Sequence, residues 1–189
     1  MNIIEGTLMQ DNRIYGFNPI IDKSSKVLIL GSLPGKVSLE KHMYFADRGN
    51  YFWKFMAKYL DTQYPESNEQ KVCMLMKTKV ALWDVYRSGI RINKDEKKTS
   101  NDSDITDYEL NDIKGLLNQY PQIERIGIAG QKAFSSFIEF FPDIDAICLP
   151  STSGSNGNQW GNRQISEEID INKKGWIEWT NFLEGNIHS

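Results

Sequence analysis

Residues 27–35 decide the fold of this chain, and they have the sequence VLILGSLPG. The short apolar run from Lys26 to Leu30 predicts a buried β-strand. Glycine and proline then end the strand in a loop. Asn50 follows at the start of an amphipathic helix predicted over residues 51–60, where an N-cap residue belongs. Because ligands in open α/β sheets bind outside the carboxyl ends of the strands, we expect a functional site at this loop.

The rest of the chain alternates between strand and helix patterns. Three further apolar runs predict strands at residues 80–85, 123–129 and 146–150. Apolar periodicity predicts helices at residues 71–77, 133–141 and 174–183, and one from Asp104 or Thr106 to about residue 118. Residues 92–104 are polar and predict a surface loop. The alternation predicts an α/β fold, a three-layer α/β/α sandwich with a central, mainly parallel four-stranded sheet.

Three of the predicted strands lead into segments that could build a site. Residues 31–35 follow the first strand, Trp83 and Asp84 close the second, and the polar residues 151–156 follow the fourth. The carboxyl ends of parallel strands lie at one edge of a sheet, so we expect the three segments to converge there. No repeat or long linker interrupts the chain, and we expect residues 1–189 to form a single domain.

The composition is that of an ordinary globular protein, with 40% hydrophobic and 25% charged residues among 189. No apolar run approaches the roughly 20 residues that a membrane span needs, so we expect no membrane partner. The start of the chain does not resemble a signal peptide. Cys73 and Cys148 lie far apart, which argues against a zinc or iron–sulfur site and favours a reducing, cytoplasmic compartment. We therefore expect no metal and no cofactor.

The net charge of −3 is mild evidence against a nucleic-acid partner, because nucleic acids usually select a basic surface. The cations are unevenly distributed, however. Several cluster around the first loop and helix, namely Lys36, Lys41, His42, Arg48, Lys54 and Lys58. Acidic residues concentrate elsewhere, at 102–112 and 167–170. The basic cluster is compatible both with a solvated helix face and with a nucleic-acid surface.

Several reaction classes need motifs that the sequence lacks. A P-loop needs four residues between its glycines, whereas Gly31 and Gly35 are separated by three, and Pro34 has no amide N–H to offer. His42 stays possible as a hydrolase base, but no G-x-S-x-G elbow accompanies it. No metal-binding cluster is visible, and no G-x-G-x-x-G is present. Backbone amides, serines, aromatic rings and one asparagine remain, and they suit a reaction without a covalent nucleophile.

Three sequence blocks carry a family resemblance. The first is GSLPGxxSL at residues 31–39, followed by YFAxxxNxFW at residues 44–53. The second is ALWDV at residues 81–85, and the third is LPSTS at residues 149–153. In order and approximate spacing these blocks resemble the uracil-DNA glycosylase superfamily, most closely its hypoxanthine-DNA (deoxyinosine) glycosylase branch. Asp-Arg at residues 47–48 stands where that branch commonly has His-Pro.

The resemblance implies a base-excision repair enzyme that flips a deaminated nucleotide out of DNA and hydrolyses its N-glycosidic bond. It implies catalytic roles for Asn50, which would position water and contact the nucleotide, and for Ser32. The residues expected to bind the base are Leu33, Pro34, Gly35, Tyr44, Phe45, Trp83 and Asp84. Those expected to contact phosphates or enter the DNA are Ser151, Thr152, Ser153, Gly154, Ser155 and Asn156. The expected partner is DNA containing deaminated bases, bound by a monomer.

Two other functions remain open. One is a non-catalytic member of the same fold that binds nucleic acid or a nucleotide, and the other is an unrelated small-molecule hydrolase on an α/β sheet. Each site residue also has a structural interpretation: Asn50 as an N-cap, Ser32 as a turn residue, and the aromatic residues as core. The preference among hypoxanthine, uracil and xanthine is open as well.

Overall fold

The structure, a computed structural model, describes residues 12–92, 104–161 and 168–186. Its central sheet has four strands: β2 (Val27–Gly31), β3 (Val80–Asp84), β6 (Arg125–Ala129) and β7 (Ile147–Leu149). All pairs are parallel, and the order in the sheet is β3-β2-β6-β7. The predicted parallel four-stranded sheet is confirmed. Every residue of β2 is buried, as expected for a central strand covered on both faces.

Helices cover both faces of this sheet. They are α1 (Lys36–Lys41), α2 (Phe52–Tyr59), α3 (Asn68–Thr78), α4 (Ile113–Gln119), α5 (Gln131–Phe140) and α6 (Lys174–Glu184). Side chains alternate along a strand, so Val27 and Ile29 join one core with residues of α2, α3 and α6. Leu28 and Leu30 join the opposite core with residues of α4 and α5. The predicted three-layer sandwich is confirmed.

A second, antiparallel sheet was not expected from the sequence. It consists of β1 (Arg13–Tyr15), β4 (Tyr86–Arg91) and β5 (Ile105–Leu110), in the order β1-β4-β5. The prediction of a helix from Asp104 or Thr106 was wrong, because this segment is paired with β4 and α4 begins only at Ile113. Most of the predicted surface loop, residues 93–103, lies outside the described residues.

Local sequence accounts for where the helices begin. The Ser67 hydroxyl accepts a hydrogen bond from the backbone N–H of Gln70, and the Gln70 side-chain oxygen accepts one from the backbone N–H of Ser67. This capping box starts α3 earlier than the apolar pattern indicates. Asp112 caps α4 by accepting from Gly115 N–H. Among the described residues, no helix has both the length and the apolar character needed to cross a membrane.

Candidate active site at the carboxyl edge of the parallel sheet

β2 and β3 end side by side, and their last residues, Gly31 and Asp84, are paired in register. The Asp84 carboxyl group lies against the Gly31 backbone: a Cβ atom on Gly31 would be 2.5 Å from Asp84 Oδ1 and 3.6 Å from Phe45 Cζ. Asp84 is only 3% exposed. Only a glycine at position 31 therefore lets the carboxylate and the Phe45 ring meet at the end of β2.

Phe45 is held in an unusual backbone conformation. Its φ of 53° lies in the left-handed region, which is uncommon for a bulky side chain. The ring packs 4.6 Å from that of Phe52, at an angle of 33° between the planes, and the residue stays half-buried. Strain of this kind concentrates at functional sites. Phe45 is therefore a better candidate to stack on a base than its neighbour Tyr44, whose hydroxyl and ring are already engaged.

Tyr44 instead holds the segment before β2. Its hydroxyl donates to the backbone carbonyls of Phe17 and Asn18, at 3.2 and 3.1 Å, and its ring meets Phe17 edge to face. Trp83 donates its indole N–H to the same Phe17 carbonyl at 3.0 Å. Burial, and secondarily the negative charge of Asp84, raises the pKa of the Tyr44 hydroxyl. Tyr44 and Trp83 thus support the site, and the base-binding role inferred for them remains a prediction.

Asn50 sits where the loop from Phe45 enters α2. Tyr51, not Asn50 as predicted, occupies the N-cap position of α2, but Asn50 Oδ1 accepts the backbone N–H of Phe52 at 2.9 Å and so caps the first turn from one residue earlier. Asp47 shapes this turn, because its carboxylate accepts from Gly49 N–H and its carbonyl from Asn50 N–H. Within the described part of the chain, the Asn50 side-chain nitrogen has no hydrogen-bond partner. Asn50 can therefore cap the helix and still offer an N–H, together with the second lone pair of Oδ1.

The loop after β7 packs directly on the Asn50 turn. Tyr51 N–H donates to the Thr152 carbonyl at 2.7 Å. A Cβ atom on Gly154 would lie 2.7 Å from the Gly49 carbonyl oxygen, so the two backbones touch. Gly154–Gln159 forms a 3₁₀ helix. Thr152 is buried, and the two serines Ser153 and Ser155 are exposed with their hydroxyls 3.0 Å apart.

The other predicted site residues lie near the Asn50 turn and the loop after β7. Ser151 is half-buried and accepts the Ser153 N–H, and Asn156 donates weakly to Ser155. Ser32 is 8% exposed, and its carbonyl accepts the Tyr86 N–H. The structure therefore brings the three predicted segments to one sheet edge, while the individual roles stay predictions.

Arg91 is a contributor that the sequence reasoning missed. This residue ends β4, is only 4% exposed, and donates to the carbonyls of Leu33 and Pro34 at 2.8 and 3.2 Å. Arg91 thereby links the antiparallel sheet to the loop after β2. Gly35 has open space beside its Cα, since a Cβ there would meet nothing within 4 Å. The sequence carried no signal for this role, because neither the strand β4 nor the burial of Arg91 follows from a local pattern.

Tryptophan side chains anchor the same segments. The indole N–H groups of Trp53, Trp160 and Trp179 donate to the carbonyls of Tyr44, Ser151 and Pro150, at 2.8 to 2.9 Å. All three rings are fully buried. A buried indole usually needs such a partner, so each ring fixes one piece of site backbone to the core. In the described ranges, no group of three or more His, Cys, Asp or Glu side chains could hold a metal ion.

Comparisons with known proteins agree with this geometry. The model of the Uracil DNA glycosylase superfamily matches residues 19–173. The chain belongs to this superfamily. It is 31% identical over 169 residues to a protein named hypoxanthine DNA glycosylase from Methanosarcina barkeri, covering 86% of this chain and 95% of that relative. A relative of the same name from Methanosarcina acetivorans is 33% identical over 159 residues, and the match covers 81% of this chain and 94% of that relative.

A solved structure shares the fold as well. The solution NMR structure of a uracil DNA glycosylase-like protein from Methanosarcina acetivorans superposes with a TM-score of 0.70 at 28% sequence identity. The match covers 93% of this chain and 99% of that one. The resemblance inferred from the sequence blocks is thereby confirmed, and the superfamily fold extends over nearly the whole chain.

Proposed function

We propose that this chain is a monofunctional DNA glycosylase that hydrolyses the N-glycosidic bond of a deaminated nucleotide flipped out of DNA. The observation that carries the proposal is the convergence of the Asn50 turn, the Gly31–Asp84 pair and the loop 151–156 at one sheet edge. Relatives matching along almost their full length are named hypoxanthine DNA glycosylase. A deaminated base pairs poorly, so flipping it costs less than flipping a normal base.

The proposed chemistry needs no covalent enzyme intermediate. The base leaves with the electrons of the glycosidic bond, water adds to C1′ of the deoxyribose, and the proton from that water ends on the base or in solvent. Asn50 holds the attacking water through the free lone pair of Oδ1, while its N–H contacts the nucleotide. Ser32, at the end of β2, is a second polar contact. Backbone N–H groups of Leu33 and Gly35 stabilise negative charge that develops on the departing base.

Base selection falls to Phe45 and Asp84. Phe45 offers a ring face for stacking, with Tyr44 and Trp83 fixing the wall behind it. Asp84 accepts a hydrogen bond from the ring N–H that hypoxanthine, xanthine and uracil carry next to a carbonyl. Adenine and cytosine have a lone pair at the equivalent nitrogen and are repelled by the carboxylate, so this contact separates hypoxanthine and uracil from their parent bases; guanine and thymine carry the same ring N–H and are not rejected by it. A charge-assisted bond of about 1.5–3 kcal/mol corresponds to a 10- to 100-fold preference. We expect Asp84→Asn to reduce release of hypoxanthine by that factor in a single-turnover assay.

The loop 151–156 is proposed to bind the DNA backbone on either side of the flipped nucleotide. Ser153 and Ser155 present exposed hydroxyls, which are common phosphate ligands. Gly154 keeps the loop close to the Asn50 turn, and Asn156, in the same 3₁₀ helix, is proposed to enter the DNA. We also propose that the protein acts as one domain, as a monomer in the cytoplasm, and without a cofactor. Light scattering across a tenfold concentration range tests the monomer.

The proposed function is tested by incubating the protein with labelled duplexes that contain deoxyinosine, deoxyuridine or deoxyxanthosine, followed by alkaline cleavage. We expect cleavage at one or more of these bases and none at undamaged DNA. If DNA is bound but no base is released, the non-catalytic alternative replaces the proposal. If free nucleosides are hydrolysed and duplexes are not, the protein is a small-molecule hydrolase.

A further inference from the structure

A basic pocket lies beside the loop that leads to Asn50, and none of its cations belongs to the predicted site residues. Lys79 alone, with a φ of 55°, separates the end of α3 from the start of β3, so we infer that the chain reverses there and that α3 begins toward the carboxyl edge of the parallel sheet. Asn68, the first residue of α3, donates to the carbonyl of Lys41 at 3.0 Å and joins α3 to the end of α1. A pocket of about 260 Å³ opens at this junction. Its wall includes Ala46 and Arg48, from the loop between Phe45 and Asn50.

The side chain of Lys71, which lines this pocket, is buried. It is 6% exposed and packs its ammonium group 5.9 Å from the centre of the Trp53 ring. Within the described part of the chain it forms no hydrogen bond and no ion pair. Burial, and then the charge of Lys41, lowers the pKa of Lys71; Glu66 opposes this and Arg48 adds to it. A lysine buried to this extent is seldom left without a counter-charge.

The pocket carries a surplus of positive charge. Lys41, Arg48 and Lys71 contribute three cations, and Glu66, which bonds Arg48 at 2.8 Å, is the one carboxylate in the wall. Lys41 is exposed and forms no ion pair among the described residues. The start of α3 adds a positive helix dipole. An anion in the pocket would add a counter-charge to the Lys71 ammonium, which lies beside the Trp53 ring, and would relieve its repulsion from Lys41.

We propose that Lys41, Arg48 and Lys71 form a phosphate-binding pocket, and that it takes a backbone phosphate of the DNA strand near the flipped nucleotide. The assignment of this phosphate to DNA rests on the proposed function. The pocket and the Asn50 turn share the loop 46–50, so a strand bound at this edge of the sheet can reach both. The sequence showed only a basic cluster around the first loop, because Lys71 lies far from it along the chain.

The test measures affinity for a duplex containing 2′-fluoro-2′-deoxyinosine, which resists base release, by fluorescence anisotropy at several NaCl concentrations. Each DNA phosphate contact contributes about 0.9 to the slope of log Kd against log [NaCl]. We expect the double variant Lys41→Met/Lys71→Met to lose about 0.9 from the slope and each single variant to lose part of it. Lys77→Met is the matched control, since Lys77 is exposed at the far end of the same helix, and we expect its slope to equal the wild-type slope.

Titration with inorganic phosphate at constant ionic strength, followed by NMR shifts of residues 66–71, separates the two sources of phosphate. Shifts without any change of slope in the double variant would mean a free anion and would overturn the assignment to DNA. Absence of both effects would overturn the pocket itself. If Lys71→Met does not fold, the salt slope of Lys41→Met, which changes an exposed residue, still tests the phosphate contact. Wild-type protein that releases no base would refute the proposed function alone, because the slope is measured on an uncleaved duplex.

Discussion

Replacement of Arg91 by methionine should loosen the loop that follows β2 and lower stability markedly. The guanidinium group donates to two carbonyls, those of Leu33 and Pro34, and the residue is 4% exposed. A hydrogen bond from a charged donor contributes about 1.5–3 kcal/mol, and the substitution also leaves buried carbonyls without their donor. We therefore expect the free energy of unfolding to fall by about 3–5 kcal/mol, a large part of the 5–15 kcal/mol typical of a domain.

Urea unfolding followed by tryptophan fluorescence measures this loss. Arg87→Met is the matched control, because Arg87 lies on the same strand but is exposed, and we expect a change within about 0.5 kcal/mol. Arg91→Lys, which keeps the charge but not the forked geometry, should fall between the two. The reasoning is refuted if Arg91→Met unfolds within about 1 kcal/mol of the wild type.

Two further predictions concern the packing of the site. Gly154→Ala would place a methyl group 2.7 Å from the Gly49 carbonyl, so the backbones must separate by about 0.7 Å to reach the ordinary 3.4 Å. A 1 Å misplacement of a catalytic group can lower the rate about 100-fold, so we expect Gly154→Ala to lower single-turnover base release roughly tenfold. Asn158→Ala, at an exposed position of the same segment, is the control and should not change the rate. Burial raises the pKa of Tyr44, so the native state keeps a proton that the unfolded state loses above about pH 10. The free energy of unfolding should therefore fall above that pH, and Tyr44→Phe should make this fall shallower. An unchanged fall in Tyr44→Phe would contradict the assignment of the pH dependence to the buried Tyr44 hydroxyl.

The parallel sheet could be predicted because its signals are local. The strand at residues 26–30 and the strand at residues 80–85 are short apolar runs followed by breakers, and the loops after them contain the site. The antiparallel sheet could not be predicted in this way. β5 has exposed side chains at four of its six positions and owes its conformation to pairing with β4, which no local pattern encodes.

The candidate site shows the same division. The convergence of Gly31, Asp84 and Ser151 at one edge follows from the parallel direction of the strands, which the alternation of strand and helix patterns predicts. The support behind these residues depends on side chains from distant segments. Arg91 and Trp160 reach the site only through the three-dimensional fold, and Lys71 reaches its pocket from the first turn of α3. Sequence reasoning identifies such residues as core or surface, not as partners of a particular loop.

The most direct test of the central claim is base release by Asn50 variants under single-turnover conditions, on the duplex that the wild type cleaves. Asn50→Ala removes both the amide and the cap, which should cost about 1 kcal/mol of stability. Asn50→Ser keeps a good cap and removes only the amide, so its stability should stay within about 0.5 kcal/mol of the wild type. We predict that both variants release base at least about 100-fold more slowly, as is typical when one preorganised polar contact to the transition state is lost. Undiminished release by a folded Asn50→Ser variant would contradict the account and leave Asn50 with its capping role alone.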